Sequence, residues 1–269
     1  MNYKICLSAV LISGIFMSSC KKEEADTDTQ SAVDYAYLKL GYATVLPVTN
    51  NITVNEEGLD KTNTYTCATV TRIAGDTTGW PASGDTLIYE VNYGTTGCVD
   101  HDGRTKTGIL TVSFYSDFHL SGGLVKIVPT DFKVDGMAYE GAMTLQNNGN
   151  YSYTKVVTNG KCVAPSWTVE YDGTTTLTWL SGYNTPADPS DDSYSFTETA
   201  DCVNRKGSAF TVGTTSAIVK NCDCKWISAG TVEITPSGLA TRTINFGTGT
   251  CDNDATLTIN GKVFNFEMQ

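Results

Sequence analysis

From Thr64 onward the chain alternates apolar and polar side chains with a period of two. Leu87, Tyr89, Val91 and Tyr93 fall on one side, with Glu90 and Asn92 on the other. Leu110, Val112 and Phe114 alternate with Thr111 and Ser113, and Trp167, Val169 and Tyr171 with Thr168 and Glu170, while Leu177 and Trp179 flank Thr178. Such alternation marks antiparallel sheet with one face in water. Leu257 and Ile259 run into Asn260-Gly261 and then Phe264, Phe266 and Met268. That is a hairpin signal, because both central residues of the tight turn need positive φ. Asp-Gly at 102–103, 135–136 and 172–173 and Asn-Gly at 159–160 repeat the signal. No segment shows a helical period. The pattern predicts an all-β antiparallel multi-stranded meander, either one large curved sheet or a sandwich. Val33 to Leu46 reads as a first strand or a packed arm, and Asp188 to Asp192 as a protruding loop or a boundary between two lobes.

A stretch of the pattern occurs twice. Val91-Asn92-Tyr93-Gly94-Thr95-Thr96-Gly97-Cys98 aligns without gaps with Ile244-Asn245-Phe246-Gly247-Thr248-Gly249-Thr250-Cys251. Cys67 precedes the first copy and Cys224 the second, and an acidic turn and a strand follow each. A repeated supersecondary unit explains this most simply. The repeat pairs Cys67 with Cys98 and Cys224 with Cys251, each closing a loop of about thirty residues and contributing about 3–4 kcal/mol in the chain-entropy model. Cys162, Cys202 and Cys222 then leave one thiol over whichever pair forms, either buried and inert or linking two molecules.

The N-terminus has the anatomy of an export signal. Lys4 is followed by an apolar run from Ile5 to Met17, and Ser18 and Ser19 precede Cys20. The run, about 13 residues, is too short to span a bilayer, which takes about 20. This stretch resembles a bacterial lipobox, with Met17 in place of the usual leucine. The resemblance implies that Cys20 becomes the lipidated N-terminus after residues 1–19 are removed. Lys21-Lys22-Glu23-Glu24 resembles the surface-export tag of Bacteroidota lipoproteins, a lysine followed by two acidic residues; the plainer alternative is a charged tether. The expected organisation is a signal peptide over 1–19, a lipidated cysteine and flexible tether over 20–32, and a β body over 33–269. The body is either one unit or two repeat-related lobes, about 33–160 and 161–269.

Composition narrows the function classes. The 269 residues carry a net charge of −11, which argues against nucleic acid and against adsorption to an anionic membrane surface. Membrane attachment therefore falls to the lipid on Cys20. Only 17% of residues are charged while tyrosine occurs 14 times, which suits a pleated, half-solvated surface. The tail from Cys224-Lys225-Trp226 through Gly230-Thr231-Val232-Glu233-Ile234, Phe246-Gly247-Thr248-Gly249-Thr250-Cys251-Asp252-Asn253 and Ile259-Asn260-Gly261-Lys262 resembles the C-terminal end of a group of uncharacterised Bacteroidota cell-envelope lipoproteins. The likeness covers about the last fifty residues, with a fainter echo around Cys98 to Gly108. It implies a secreted β protein and carries no catalytic residues.

Candidate chemistry is sparse. Cys222-Asp223-Cys224 with Cys251 lacks the paired clusters of structural zinc. Asp100-His101-Asp102-Gly103 and Asp252-Asn253-Asp254 are oxygen-rich turns without the spacing of a calcium loop. His101 and His119, the only histidines, have no nucleophile motif beside them. Glu140, Glu170 and Glu198 lie in strand patterns and are the carboxylates that a glycan-acting hydrolase would pair, about 5–9 Å apart. Trp80, in Gly79-Trp80-Pro81, is the tryptophan placed to stack on a ligand; Trp167, Trp179 and Trp226 read as packing. No cofactor and no metal are expected. The pattern points to a lipid-anchored outer-membrane protein, on the cell surface or facing the periplasm, that binds a polymer such as a glycan or a partner protein without catalysis. The alternatives are a structural envelope protein and a glycan hydrolase.

Overall fold

The computed structural model describes residues 26, 28–43, 48–49, 52, 67–75, 85–100, 103–118, 120–185, 189–221, 223–224 and 226–268. Among the described residues, fourteen strands form a single antiparallel sheet. They are β1 (Thr69–Ala74), β2 (Leu87–Asn92), β3 (Cys98–Val99), β4 (Thr105–Phe114), β5 (Leu124–Val134), β6 (Met137–Gly149), β7 (Ser152–Ala164) and β8 (Trp167–Ser181), then β9 (Ser193–Val203), β10 (Ala209–Asn221), β11 (Ala229–Pro236), β12 (Arg242–Thr248), β13 (Asp254–Ile259) and β14 (Lys262–Glu267). They neighbour one another in chain order, except that the two-residue β3 pairs aside with β4. The all-β meander is therefore present, as one sheet. A boundary at 160/161 would cut β7, which pairs with β6 on one side and β8 on the other.

The alternation seen in the sequence is the burial pattern along β2, β4 and β8, but not along β14, where Phe266 is 38% exposed. Leu87, Tyr89 and Val91 face inward with Leu110, Val112 and Phe114 of β4, and one hydrophobic cluster continues through Val232, Ile244 and Leu257. Asp135-Gly136 and Asn260-Gly261 are turns, each with both residues at positive φ. Asn159-Gly160 and Asp172-Gly173 are not turns; they lie inside β7 and β8. Asn159, at φ 52, sits at a register shift that moves the buried positions of β7 from odd numbers (Tyr153, Val157) to even (Gly160, Cys162). The glycines are there for close approach. A Cβ on Gly160 would lie 2.7 Å from the Tyr42 hydroxyl, and one on Gly173 would lie 2.4 Å from the Tyr171 ring.

Tyr42 belongs to the element that the alternation did not reveal. Gln30–Tyr42 is an α-helix, α1, where a strand or arm and the end of a tether were expected. Its buried stripe is Ser31, Asp34, Tyr35, Leu38 and Tyr42, a helical period. The period is masked because two of the buried positions are polar while Val33 is 44% exposed. Asp28 starts the helix by accepting the Gln30 N–H at 3.0 Å. The helix touches β5, β7, β8 and β11. In a flat sheet β5 and β11 would stand about 29 Å apart, whereas the helix is about 20 Å long. The sheet is curved around it.

Because consecutive strands are antiparallel neighbours, their connections gather at two ends. The connections after β2, β5, β7, β9, β11 and β13 lie at one end, and those after β1, β4, β6, β8, β10 and β12 at the other. The repeat copies sit near opposite edges of the sheet in opposite orientations. Gly94 N–H donates to Asn92 Oδ1 at 2.8 Å, and Gly247 N–H donates to Asn245 Oδ1 at 2.9 Å, so the two copies share this local hydrogen bond.

Candidate functional site

The first end is charged. Lys106 and Asp100, both almost fully buried, pair at 2.7 Å, and Arg104 pairs with Asp135 at 2.9 Å. Arg205 meets Asp34 of α1 at 2.5 Å with its guanidinium 4.0 Å from the Trp167 ring centre. Arg242, fully buried, donates to Asp26 at 2.6 Å and to the Asp28 carbonyl at 3.0 Å. These cations are satisfied by carboxylates of the fold. Arg205 and Arg242 anchor the helix and its entry, and Asp26 and Asp28, expected in a flexible tether, are part of that anchor.

Between the ends, Glu198 holds α1 to the sheet. Its carboxylate accepts from Tyr35 OH at 2.9 Å, Lys39 Nζ at 2.5 Å and Tyr171 OH at 2.5 Å. Burial alone would raise this carboxyl, but Lys39, the Tyr171 hydroxyl and Lys155 outweigh it and hold it below its usual range. Burial, and then the charge of Lys39, push Lys155 down to about 7 against the pull of Glu198. Burial and the neighbouring Glu198 raise the Tyr35 and Tyr171 phenols. Glu198 Oε2 holds the helix through Tyr35 and Lys39 while Oε1 is taken by Tyr171 of β8, so neither oxygen is left for a hydrolytic role. Glu140 and Glu170 are exposed and flank Lys161 in one cross-strand row, with Lys161 Nζ 4.0 Å from Glu170. The three glutamates are not brought together.

A groove of about 410 Å³ crosses the outside of β7 to β10, lined among others by Thr158, Asp172, Thr174, Thr199, Asp201 and Thr211. Asp172 and Asp201 are directly opposite one another, and Asp172 already accepts the Asn159 N–H at 2.7 Å. Among the described residues no histidine, lysine or arginine lines the groove.

The second end is aromatic. The β6–β7 turn is Asn150-Tyr151, with both residues left-handed at φ 50 and 57. The Trp179 N–H of β8 donates to the Tyr151 carbonyl at 2.9 Å, which sets this turn beside the β8–β9 connection. There Tyr183 stacks on Tyr151, ring centres 4.1 Å apart and planes at 20°. Trp179 meets Tyr183 edge-on at 6.4 Å and stacks on Tyr194 at 5.6 Å. Asp192 fixes these last two rings, accepting from Trp179 Nε1 at 3.1 Å and Tyr194 OH at 2.9 Å. Tyr151 is 47% exposed, Tyr183 38% and the adjoining Leu180 47%. Among the described residues nothing engages the Tyr151 or Tyr183 hydroxyl. Of the stretch Asp188 to Asp192, Pro189–Asp191 forms a single 3₁₀ turn in this connection, and Asp188 lies outside the described residues.

Of the residues singled out in the sequence, Cys67 is bonded to Cys98 and Cys224 to Cys251, with Cα separations of 5.9 and 5.7 Å. Cys162 and Cys202 are buried thiols that burial pushes upward in pKa. Cys224 is thus no zinc ligand, and Asp100 is taken by Lys106. Cys20, Trp80, His101, His119, Cys222 and the Lys21 to Glu24 segment lie outside the described residues. Trp167 packs under Arg205 as expected of a packing residue, whereas Trp179 supports an exposed cluster. Sequence reading missed Tyr151 and Tyr183. The available signal was an Asn-Tyr pair where a tight turn would ordinarily have Asn-Gly.

Among the described residues no helix is long and apolar enough to cross a membrane, and no group of three or more His, Cys, Asp or Glu could hold a metal ion. No family model, curated protein or solved structure matches the chain.

Proposed function

We propose that the chain is a lipid-anchored envelope protein, held through Cys20 and displayed on the cell surface, whose aromatic end binds an extended polymer or a partner protein without catalysis. One observation carries this reading. Tyr151 is held at φ 57, where a non-glycine residue costs about 1–2 kcal/mol, and the ring kept there is half-exposed instead of filling the core. The other two-residue turns with the same backbone, Asp135-Gly136 and Asn260-Gly261, have glycine at that position. Strain maintained to present a ring outward points to use of that ring. The Lys21 to Glu24 segment supports surface display by its resemblance to an export tag.

The test labels intact cells carrying the full-length Tyr151→Cys chain with a membrane-impermeant maleimide, against the unsubstituted chain as baseline. Cys162 and Cys202 are buried, which keeps their contribution low. Labelling before lysis is expected. Protection until the outer membrane is broken would put the body in the periplasm and overturn surface display. Failure to label even after lysis would overturn the exposed-tip reading.

A further inference from the structure

We infer that the Tyr151–Tyr183 stack is a subsite for an uncharged hexopyranose chain, an inference that rests on the aromatic end being a binding surface. A pyranose ring presents a flat face of C–H bonds and an equatorial rim of hydroxyls. It is complementary to an aromatic face bordered by neutral hydrogen-bonding groups. Stacking covers the facing sides of the two half-exposed rings, so a sugar meets an outer face, and the hydroxyls, which nothing among the described residues engages, supply donors and acceptors at its edge. Asn148 and Ser181, at the ends of β6 and β8, and Thr185 in the β8–β9 connection extend the neutral border.

The rings are held before any ligand arrives. Tyr183 rests edge-on against Trp179, and Asp192 locks Trp179 and Tyr194 with one carboxylate oxygen each. Tyr151 is fixed by its own backbone and by the Trp179 N–H. A preformed platform spares a ligand the loss of side-chain freedom that would otherwise weaken its binding.

Charge selects among polymers. Residues 145–154 and 179–194 contain no lysine, arginine or histidine, and they carry Asp188, Asp191 and Asp192. A uronate, sulfate or phosphate chain would meet carboxylates on these two stretches, and the described lysine opposite Tyr194, Lys220, already gives its amine to the Cys224 carbonyl. A cationic peptide would find Asp192 occupied by Trp179 and Tyr194, and of the described carboxylates would be left with the exposed Asp191, which already accepts the Thr185 hydroxyl at 2.7 Å. An uncharged sugar needs neither.

The full chain would be titrated calorimetrically with neutral gluco-, manno- and galacto-configured hexasaccharides, and with hexagalacturonate and a cationic lysine-rich peptide. Binding of at least one neutral hexasaccharide is expected, weakened about tenfold or more by Tyr151→Gly and by Tyr183→Ser. Val128→Ser, which changes an exposed apolar residue on β5, should leave it unchanged. Tyr151→Gly suits its turn, so its loss of binding would not come from misfolding. Preference for hexagalacturonate or the peptide, or neutral binding indifferent to both tyrosine substitutions, overturns the inference. No binding to any neutral hexasaccharide also overturns it. The broader reading then stands or falls separately, on whether position 151 labels on intact cells.

Discussion

The two ends of the sheet spend their polar groups in opposite ways. At the charged end Arg104, Lys106, Arg205 and Arg242 each meet a carboxylate, and the pairs either tie α1 down or close tight turns. At the aromatic end the one carboxylate with two described donors, Asp192, holds Trp179 and Tyr194, while the Tyr151 and Tyr183 rings stay outward. The same two-residue turn geometry serves both ends, with glycine at Gly136 and Gly261 and with Tyr151 at the other. A polar network closed on itself is a device of stability. One that orients exposed rings is a device of presentation. The difference separates scaffold from candidate site without any reference to another protein.

The largest effect that could break this contrast lies at the charged end. Arg242→Met leaves Asp26 and the Asp28 and Ala240 carbonyls without their buried partner. It should cost about 3–5 kcal/mol, read from the urea midpoint at constant m. A loss under about 1 kcal/mol would mean that this end is as solvated as an ordinary surface pair.

Next come the disulfides, one at each end. Replacing Cys67 and Cys98 by serine, or Cys224 and Cys251, should cost about 3 kcal/mol in either case. The loops they close, with separations of 31 and 27 residues, are nearly equal. Losses that differ by several kcal/mol would show that one repeat copy is held mainly by its bond and the other by packing.

These pairings were legible because a gapless match over eight residues equates Cys98 with Cys251, and each has another cysteine upstream at a similar separation, Cys67 and Cys224. The strands were legible because their inner faces are apolar and their outer faces are threonine and charge. The helix was not, since Ser31 and Asp34 occupy its buried stripe and find partners far along the chain in Asn204 and Arg205. Asn159-Gly160 and Asp172-Gly173 misled for the opposite reason. Their local chemistry suits a turn, but a tyrosine side chain needs the space over each glycine, Tyr42 of the helix over Gly160 and Tyr171 of the same strand over Gly173. Of the site, only the presence of Trp179 and of a polar loop at Asp188 to Asp192 could be read. The stacking of Tyr151 on Tyr183 depends on two connections being neighbours at one end, which the order of strands settles and local sequence does not.

A pH effect separates the helix dock from both ends. Lys155 is pushed down to about 7 by burial and Lys39, so the unfolded chain holds more protons there between about pH 7 and the usual lysine value near 10.4. Charging this amine in the fold is therefore unfavourable, in full below pH 7 and less as pH rises. Lys155→Met should be more stable than the natural chain at pH 6, and its advantage should shrink between pH 7 and 9. Thermal melts of both proteins at pH 6, 7.5 and 9 would read this, and the difference between them removes the contribution of Cys162, Cys202 and the tyrosines. An advantage that does not change with pH would show that Lys155 keeps its charge across that range and that the dock is open to water.

The smallest effect bears most directly on the aromatic end. Tyr151→Ala removes the ring but keeps a Cβ in the left-handed region, whereas Tyr151→Gly removes both. If the turn is strained, the glycine variant should exceed the alanine variant by about 1 kcal/mol, and it should lose little against the natural chain because the ring is half-exposed. Urea unfolding of the three proteins measures both differences. Equal stabilities for glycine and alanine would mean that the turn relaxes once the ring is gone, so that stacking on Tyr183 itself imposes the backbone. A loss of several kcal/mol in both would make Tyr151 part of the scaffold, and the two ends would then differ in chemistry but not in purpose.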